Sequence, residues 1–249
     1  MDRERDRPES PEALARRTAR TALLMDEAQL GRLRDAHVML FGLGGVGSYT
    51  AEALARVGIG RLTLVDADVV VESNINRQLC ALTSTLGQSK ARVTRERLLD
   101  INPSARITAI EAFHLPDAPV SIPADVDVVV DAIDTVAAKI DLAVTCAAGN
   151  LPIISCMGMG NRYDPTRIRI GDLFETAGCP LCRVMRKELR KRGLNRLRCV
   201  YSDEPACACA AGEETKAGGR QAPGSLPYVP SVAGLYLAFE AVAALLNRG

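Results

Sequence analysis

The sequence predicts an α/β protein built on a Rossmann-like, mostly parallel sheet with helices on both faces. Three observations carry this. An apolar run enters a glycine-rich turn and then a helical pattern across Val38-Met39-Leu40-Phe41-Gly42-Leu43-Gly44-Gly45-Val46-Gly47-Ser48. A second strand-like run, Arg61-Leu62-Thr63-Leu64-Val65, ends at Asp66. Beyond it, strand-like and helical segments alternate, an order that right-handed crossovers turn into a parallel sheet.

Taken in order, Pro11 to Leu33 reads as helical, within an N-terminal arm over residues 1–35. The strand before Gly42 follows. In the turn, Gly42 allows the tight bend, Gly44 and Gly45 let backbone approach a diphosphate, and Gly47 lets the helix pack on the strand. A helix is expected from Ser48 to Val57, with its first N–H groups facing the anion. Asp66 closes the second strand where a carboxylate grips ribose hydroxyls in such folds. Ser89 to Ile101 has helical periodicity, Ala105 to Phe113 and Val126 to Ala132 read as strands, Thr135 to Gly149 as a helix and Leu151 to Ser155 as a strand. From Arg167 onward the pattern gives a strand, a basic helix, a loop over 203–229 and a C-terminal helix over 231–247. The whole chain, 1–249, is expected to form one nucleotide-binding domain. Gly212 to Pro227, rich in Gly, Glu, Lys and Pro, reads as a mobile loop, with a lid as the alternative to a plain solvated segment.

The glycine pattern alone leaves the nucleotide open, because dinucleotide oxidoreductases use the same turn. The segment after Asp66 points elsewhere. It holds Asp68, Asn74, Arg77 and Gln78, followed by Lys90 at the start of a helical pattern. Hydride transfer needs a flat apolar pocket, whereas splitting a triphosphate needs cations and amide donors around developing phosphate charge. Singly, each residue has a plain structural reading: Asp66 and Asp68 as turn formers, Asn74 as a turn residue, Lys90 as a surface charge, Asp134 as an N-cap. Their joint occurrence in this order favours the phosphate site.

These motifs resemble the adenylyltransferases related to ubiquitin-activating enzymes, a family that includes bacterial activators of sulfur-carrier proteins. The carriers are Gly42-Leu43-Gly44-Gly45-Val46-Gly47, Asp66-Ala67-Asp68, Asn74-Ile75-Asn76-Arg77-Gln78, Lys90 and Asp131-Ala132-Ile133-Asp134. The resemblance implies an adenylation domain whose turn binds ATP, with Asp66 and Asp68 on the ribose side. It further implies phosphate contacts from Asn74, Arg77, Gln78 and Lys90, and magnesium supported by Asp134. An N-terminal arginine, Arg20 or else Arg17, is expected to reach the phosphates of a neighbouring subunit, which implies a homodimer. Gly58-Ile59-Gly60, Ile101-Asn102-Pro103 and the passage from Asp164 to Leu173 resemble the branch that dehydrates threonylcarbamoyladenosine in tRNA. The alternative is activation of the C-terminus of a small ubiquitin-like sulfur carrier, and a sulfur-transfer protein is a further partner the relationship allows.

Composition sets bounds on this. A length of 249 residues with 47% hydrophobic content supplies one sizeable core. The net charge of +1 provides no global attraction to nucleic acid. RNA contact is therefore expected to be local, and the candidates are Arg183, Arg186, Lys187, Arg190, Lys191, Arg192, Arg196 and Arg198, whose plain reading is a solvated helix face. Met1 to Arg20 lacks the apolar run of a signal peptide, and Ser231 to Leu246 is short and carries Glu240, so a cytoplasmic protein without membrane contact is expected. Of eight cysteines, Cys80, Cys146, Cys156 and Cys199 read as core residues. Cys179, Cys182, Cys207 and Cys209 read as free thiols, with a four-thiolate zinc site as the alternative. His37 and His114 have no partner in sequence that marks a catalytic base and read as structural.

Overall fold

All five residues of β1 (His37–Phe41) are buried, as a central strand covered on both faces requires. Val38 and Leu40 enter one core and Met39 and Phe41 the other, the alternation a strand imposes. The computed structural model describes residues 16–207 and 223–246. Around β1 lie β2 (Arg61–Val65), β3 (Arg106–Ile110), β4 (Val128–Asp131), β5 (Ile153–Cys156), β6 (Ile168–Asp172) and β7 (Arg198–Ser202). They form one sheet of order β3-β2-β1-β4-β5-β7-β6. Every pairing is parallel except β6 with β7.

Among the described residues the helices bounded on both sides are α1 (Glu27–Asp35), α2 (Gly47–Val57), α3 (Lys90–Ile101), α4 (Val136–Ala148), α5 (Pro180–Arg190) and α6 (Tyr228–Leu245), and they pack around the sheet. Helices α2, α3 and α6 contribute to the core with Val38 and Leu40, while α4 joins Met39 and Phe41. Helix α6 crosses the start of α2 at backbone contact. A Cβ at Gly234 would lie 2.4 Å from the Val46 carbonyl, and the Thr50 hydroxyl donates to the Gly234 carbonyl at 3.0 Å.

The N-terminal region departs from the single helix expected over Pro11 to Leu33. Residues 16–18 are helical, Thr21–Leu23 form one 3-10 turn, and α1 begins afresh after Asp26. The break has a local cause: Asp26 accepts from the Gln29 amide while Gln29 accepts from the Asp26 amide, a reciprocal capping box that starts a new helix. Residues 1–15 lie outside the described residues, as does most of the loop expected over Gly212 to Pro227. Strands β3 and β4 are shorter than Ala105 to Phe113 and Val126 to Ala132. The C-terminal helix starts at Tyr228 rather than at 231, because Pro230 sits in its first turn, where a missing N–H leaves no bond unmade. Helix α6 has the length and apolar composition of a membrane span, but Val229, Ala233, Leu237 and Ala241 are fully buried in the core. Its Glu240 is buried and paired with Arg198 at 2.5 Å.

Candidate nucleotide site

The parallel register brings the carboxyl ends of β1, β2, β4 and β5 to one edge, and the sequence motifs gather there. Gly42 leaves β1 with φ +88, and a Cβ on it would lie 2.7 Å from the Ala132 carbonyl. Only glycine combines that conformation with that approach. At Gly47 a Cβ would lie 1.8 Å from the Gly42 carbonyl, so the helix start is pressed onto the turn. The result is a backbone cradle at the N-terminus of an 11-residue helix, where N–H groups and dipole favour an anion.

Asp66 braces this cradle from β2. Its carboxylate accepts the Leu43 amide at 2.6 Å and the Asp68 amide at 2.9 Å. Burial pushes its pKa up, and the nearby Lys90 charge and the two amides partly offset the shift. Lys90 is the first residue of α3 and is buried, with Nζ 2.9 Å from the Asp68 carboxylate. Asp66, Asp68 and Lys90 thus form one charged group beside the turn.

The Asn-Arg-Gln segment closes the other side. The Ser48 hydroxyl accepts from the Leu79 amide at 3.2 Å, joining the segment to α2. Gln78 is buried, and its amide nitrogen lies 3.9 Å from a Cβ built on Gly44. Asn74 is also buried and accepts from the Val71 amide, holding its own turn. Arg77 donates to the Ser73 carbonyl at 2.7 Å and to Asn76 Oδ1 at 2.8 Å. Its stem packs within 3.3 Å of a Cβ built on Gly45, which keeps the guanidinium at the rim of the cradle.

Asp131 and Asp134, four positions spanning one motif, separate in role. Asp131 is fully buried: Lys139 Nζ reaches it at 2.8 Å, Ser155 donates to the same oxygen, and the Ile133 amide donates to the other. Lys139 also donates to the Ile133 carbonyl at 3.1 Å, so one fully buried ammonium fixes the turn that carries Asp134. Asp134 itself is exposed and is not the N-cap of α4, a place taken by Thr135. Sequence reasoning missed Lys139 and Ser155. The signal was a lysine within the apolar run Ala137-Ala138-Lys139-Ile140, a placement that calls for a buried partner.

Arg20 lies elsewhere. Arg17 donates to the Ile101 carbonyl at 3.1 Å, and Thr18 lies 3.8 Å from a Cβ built on Gly58, at the far end of α2. An 11-residue helix separates that end from Gly47 by about 16 Å. The arm of this chain therefore does not bring Arg20 to its own cradle. A concavity of about 460 Å³ also sits at this opposite edge, lined by Arg34, Gly60, Arg61, Asn102 and Arg106. It lies at the amino ends of β2 and β3, away from the glycine turn and the Asn-Arg-Gln segment, and Gly60 and Asn102 in its lining belong to two of the passages that resemble the dehydratase branch.

Most of the basic run is already engaged. Arg186 donates to the Thr176 carbonyl at 2.8 Å, Arg190 lies over the Phe174 ring, Lys191 and Arg192 pair with Glu188, and Arg198 pairs with Glu240. Arg196 is 3.9 Å from Asp172. Arg183 and Lys187 remain on the exposed face of α5.

Cys80, Cys146, Cys156 and Cys199 are buried and unpaired, as expected. Burial pushes Cys146, Cys156 and Cys199 up to about 12. Cys179 moves the other way, below the ordinary thiol range, because Cys182 and backbone N–H groups of Cys182, Gly158 and Leu181 stabilise its thiolate. Among the described residues no three His, Cys, Asp or Glu side chains gather into a metal set. Cys207 therefore does not complete a zinc site with Cys179 and Cys182, and Cys209 lies outside the described residues. Both histidines are structural. His37 Nε2 meets the Thr63 hydroxyl at 2.9 Å. His114 accepts the Val120 amide on Nδ1, which leaves Nε2 to donate to Asp141 at 2.9 Å.

Comparison with known proteins agrees with this geometry. The chain is 38% identical over 239 residues to the tRNA threonylcarbamoyladenosine dehydratase of Bacillus subtilis (strain 168), covering 92% of this chain and 94% of that one. It is 39% identical over 202 residues to the Escherichia coli (strain K12) protein of the same name, covering 78% and 75%. The crystal structure of the E. coli dehydratase in complex with ATP superposes with a TM-score of 0.83 at 33% identity, covering 95% of this chain and 96% of that one. The ThiF family profile matches residues 16–249. With that match over most of the chain, and the glycine cradle, Asp66, Lys90 and Arg77 at one sheet edge, the chain belongs to the ThiF family.

Proposed function

We propose that this protein dehydrates threonylcarbamoyladenosine in tRNA, using ATP to adenylate the carboxylate of the threonyl group. The observation that carries the reading is the joining of Asp66, Asp68, Lys90, Arg77 and Gln78 around one helix-capping glycine turn, in a chain 38% identical to a dehydratase over 92% of its length.

The cradle binds the nucleotide phosphates through backbone N–H groups, and Asp66 faces the ribose. The residues fit magnesium as well. Asp131 is consumed by Lys139 and Ser155, so Asp134, exposed on the braced turn, is the carboxylate that would hold the ion together with phosphate oxygens. When bound, the ion supplies electrostatic shielding of the phosphates. The substrate carboxylate attacks the α-phosphorus, and Arg77 and Lys90 offset charge gathering on the phosphate oxygens. Pyrophosphate leaves and an acyl adenylate remains. An atom of the carbamoyl group of the same modification then attacks the activated carbonyl, closing a ring and releasing AMP. Proximity of two ends of one substituent supplies that step, so no enzyme nucleophile is required.

A homodimer completes the site. The arm holding Arg20 lies at the wrong end of α2 for its own cradle, so its arginine serves the phosphates of a neighbouring subunit. A tRNA substrate favours a cytoplasmic location. Incubating the protein with ATP, magnesium and tRNA bearing threonylcarbamoyladenosine, then weighing the nucleosides by mass spectrometry, tests the reading. Loss of one water with AMP formed in step is expected. An unchanged nucleoside would move the reading to activation of a sulfur-carrier C-terminus.

A further inference from the structure

Arg162 is the one described arginine buried without any partner. It is 3% exposed, and its Nε and Nη1 are both sealed from solvent with no hydrogen bond. Nearby acids are committed elsewhere. Glu204 accepts the Tyr163 and Asp164 amides, and Asp164 accepts from Thr166. A guanidinium cannot shed its charge, and leaving one unpaired in the interior is strongly unfavourable, so such a group marks a place for an anion.

Its location says which anion. Arg162 follows β5, whose Ser155 bonds Asp131 at the floor of the nucleotide edge. The preceding residue, Asn161, has φ 59 and is pinned on both sides: its amide donates to the Gly224 carbonyl at 2.8 Å and its carbonyl accepts from Cys207. From Gly224 the chain runs past Ser225, whose carbonyl accepts from Asn76, and on to Pro230, which packs against Gly45. The loop bearing Arg162 is thus tied to both the Asn-Arg-Gln segment and the glycine turn. The phosphates have their own donors there, in the cradle, Arg77 and Lys90. Arg162 is not among those donors, which leaves its charge for the other anion the reaction brings to this edge, the substrate carboxylate.

We infer that Arg162 binds the carboxylate that is adenylated, through a charge-assisted N–H to oxygen bond from its unpaired guanidinium. This rests on the dehydratase reading. Held there, the carboxylate is desolvated and oriented toward the α-phosphorus, and the salt bridge loosens as its charge passes into the acyl phosphate bond.

The test compares the full-length protein with Arg162→Gln and Arg162→Lys. Arg162→Gln is expected to bind ATP with unchanged Kd and to unfold at or above the wild-type temperature, since an uncompensated charge is removed. Its KM for threonylcarbamoyladenosine tRNA is expected to rise at least tenfold, with Arg162→Lys recovering part. Wild-type KM and kcat in Arg162→Gln, or loss of ATP binding along with turnover, would overturn the assignment. The free nucleoside carries the carboxylate but no phosphate. Binding to wild type that disappears in Arg162→Gln supports the carboxylate, whereas a defect seen with tRNA and not with the nucleoside assigns Arg162 to a phosphodiester and overturns it. If wild type leaves the tRNA unchanged, the dehydratase reading fails separately, and the nucleoside titration alone then decides for or against Arg162.

Discussion

At the scale of single residues, the site works through side chains whose charge is set by neighbours. Lys90 is buried against a half-exposed Asp68, so Lys90→Ala leaves Asp68 solvated, while Asp66 loses the charge that offsets its burial and can stay protonated. Arg77 bonds only within its own turn, at Ser73 and Asn76. Both variants are expected to fold and to lose 100-fold or more of pyrophosphate exchange, roughly the worth of one group that stabilises developing charge. Unchanged exchange in either would remove the phosphate assignment. Asp66 gives a pH signature. Burial raises its folded pKa above the unfolded carboxylate range, so its protonated form favours folding, and that contribution is lost as pH rises through the raised value. Nucleotide binding runs the opposite way, because the ionised carboxylate accepts the Leu43 and Asp68 amides. ATP affinity is expected to fall on mild acidification, at a pH above the ordinary carboxylate range, and Asp66→Asn should abolish that dependence in a pH series of titrations. These residues were legible in the sequence because each belongs to a short ordered motif. Arg162 was not, since nothing in Asn161-Arg162-Tyr163 says that the fold will bury the guanidinium and direct every nearby carboxylate elsewhere.

Among the elements, the turn after β4 depends most on a buried contact. Lys139, in the first turn of α4, reaches back to hold both the Asp131 carboxylate and the Ile133 carbonyl, with no exposure of either charge. Lys139→Met leaves Asp131 buried with only Ser155 and one amide, and removal of one partner of such a pair typically destabilises by about 3–5 kcal/mol. Urea unfolding is expected to show that loss, with the Asp131→Asn, Lys139→Met double variant recovering part of it. A double variant no more stable than the single one would mean the pair is not coupled. The helices and strands around this turn were readable from periodicity, whereas their ends were not. Asp26 divides the expected N-terminal helix through a side-chain exchange with Gln29, and Pro230 sits inside α6 because its first turn tolerates proline. Both outcomes depend on competition between local caps and packing, which a hydrophobic pattern does not resolve. Strand β6 is antiparallel to its neighbour β7, which follows it after α5, a pairing that no pattern in its residues announces.

For the whole molecule, the sheet order and the clustering of motifs at one edge follow from strand alternation and right-handed crossover, but the path of the N-terminal arm does not. Arg17 bonds the end of α3 and Thr18 abuts the end of α2 remote from Gly47, so Arg20 is separated from its own cradle by the length of that helix. In the proposed dimer this arginine acts on phosphate across the subunit boundary, and a two-fold axis would make the exchange reciprocal. The consequence is measurable by mixing. Arg20→Ala and Lys90→Ala homodimers should each be inactive. In a dimer of one with the other, the subunit carrying Arg20→Ala keeps its own Lys90 and receives an intact Arg20 from its partner, while the second site holds both defects. Random exchange of equal amounts makes half of the dimers mixed, with one sound site each, so activity should return to roughly a quarter of wild type for a two-fold assembly. An arm acting within its own chain predicts no recovery at any mixing ratio, because every site would then carry one of the two lesions.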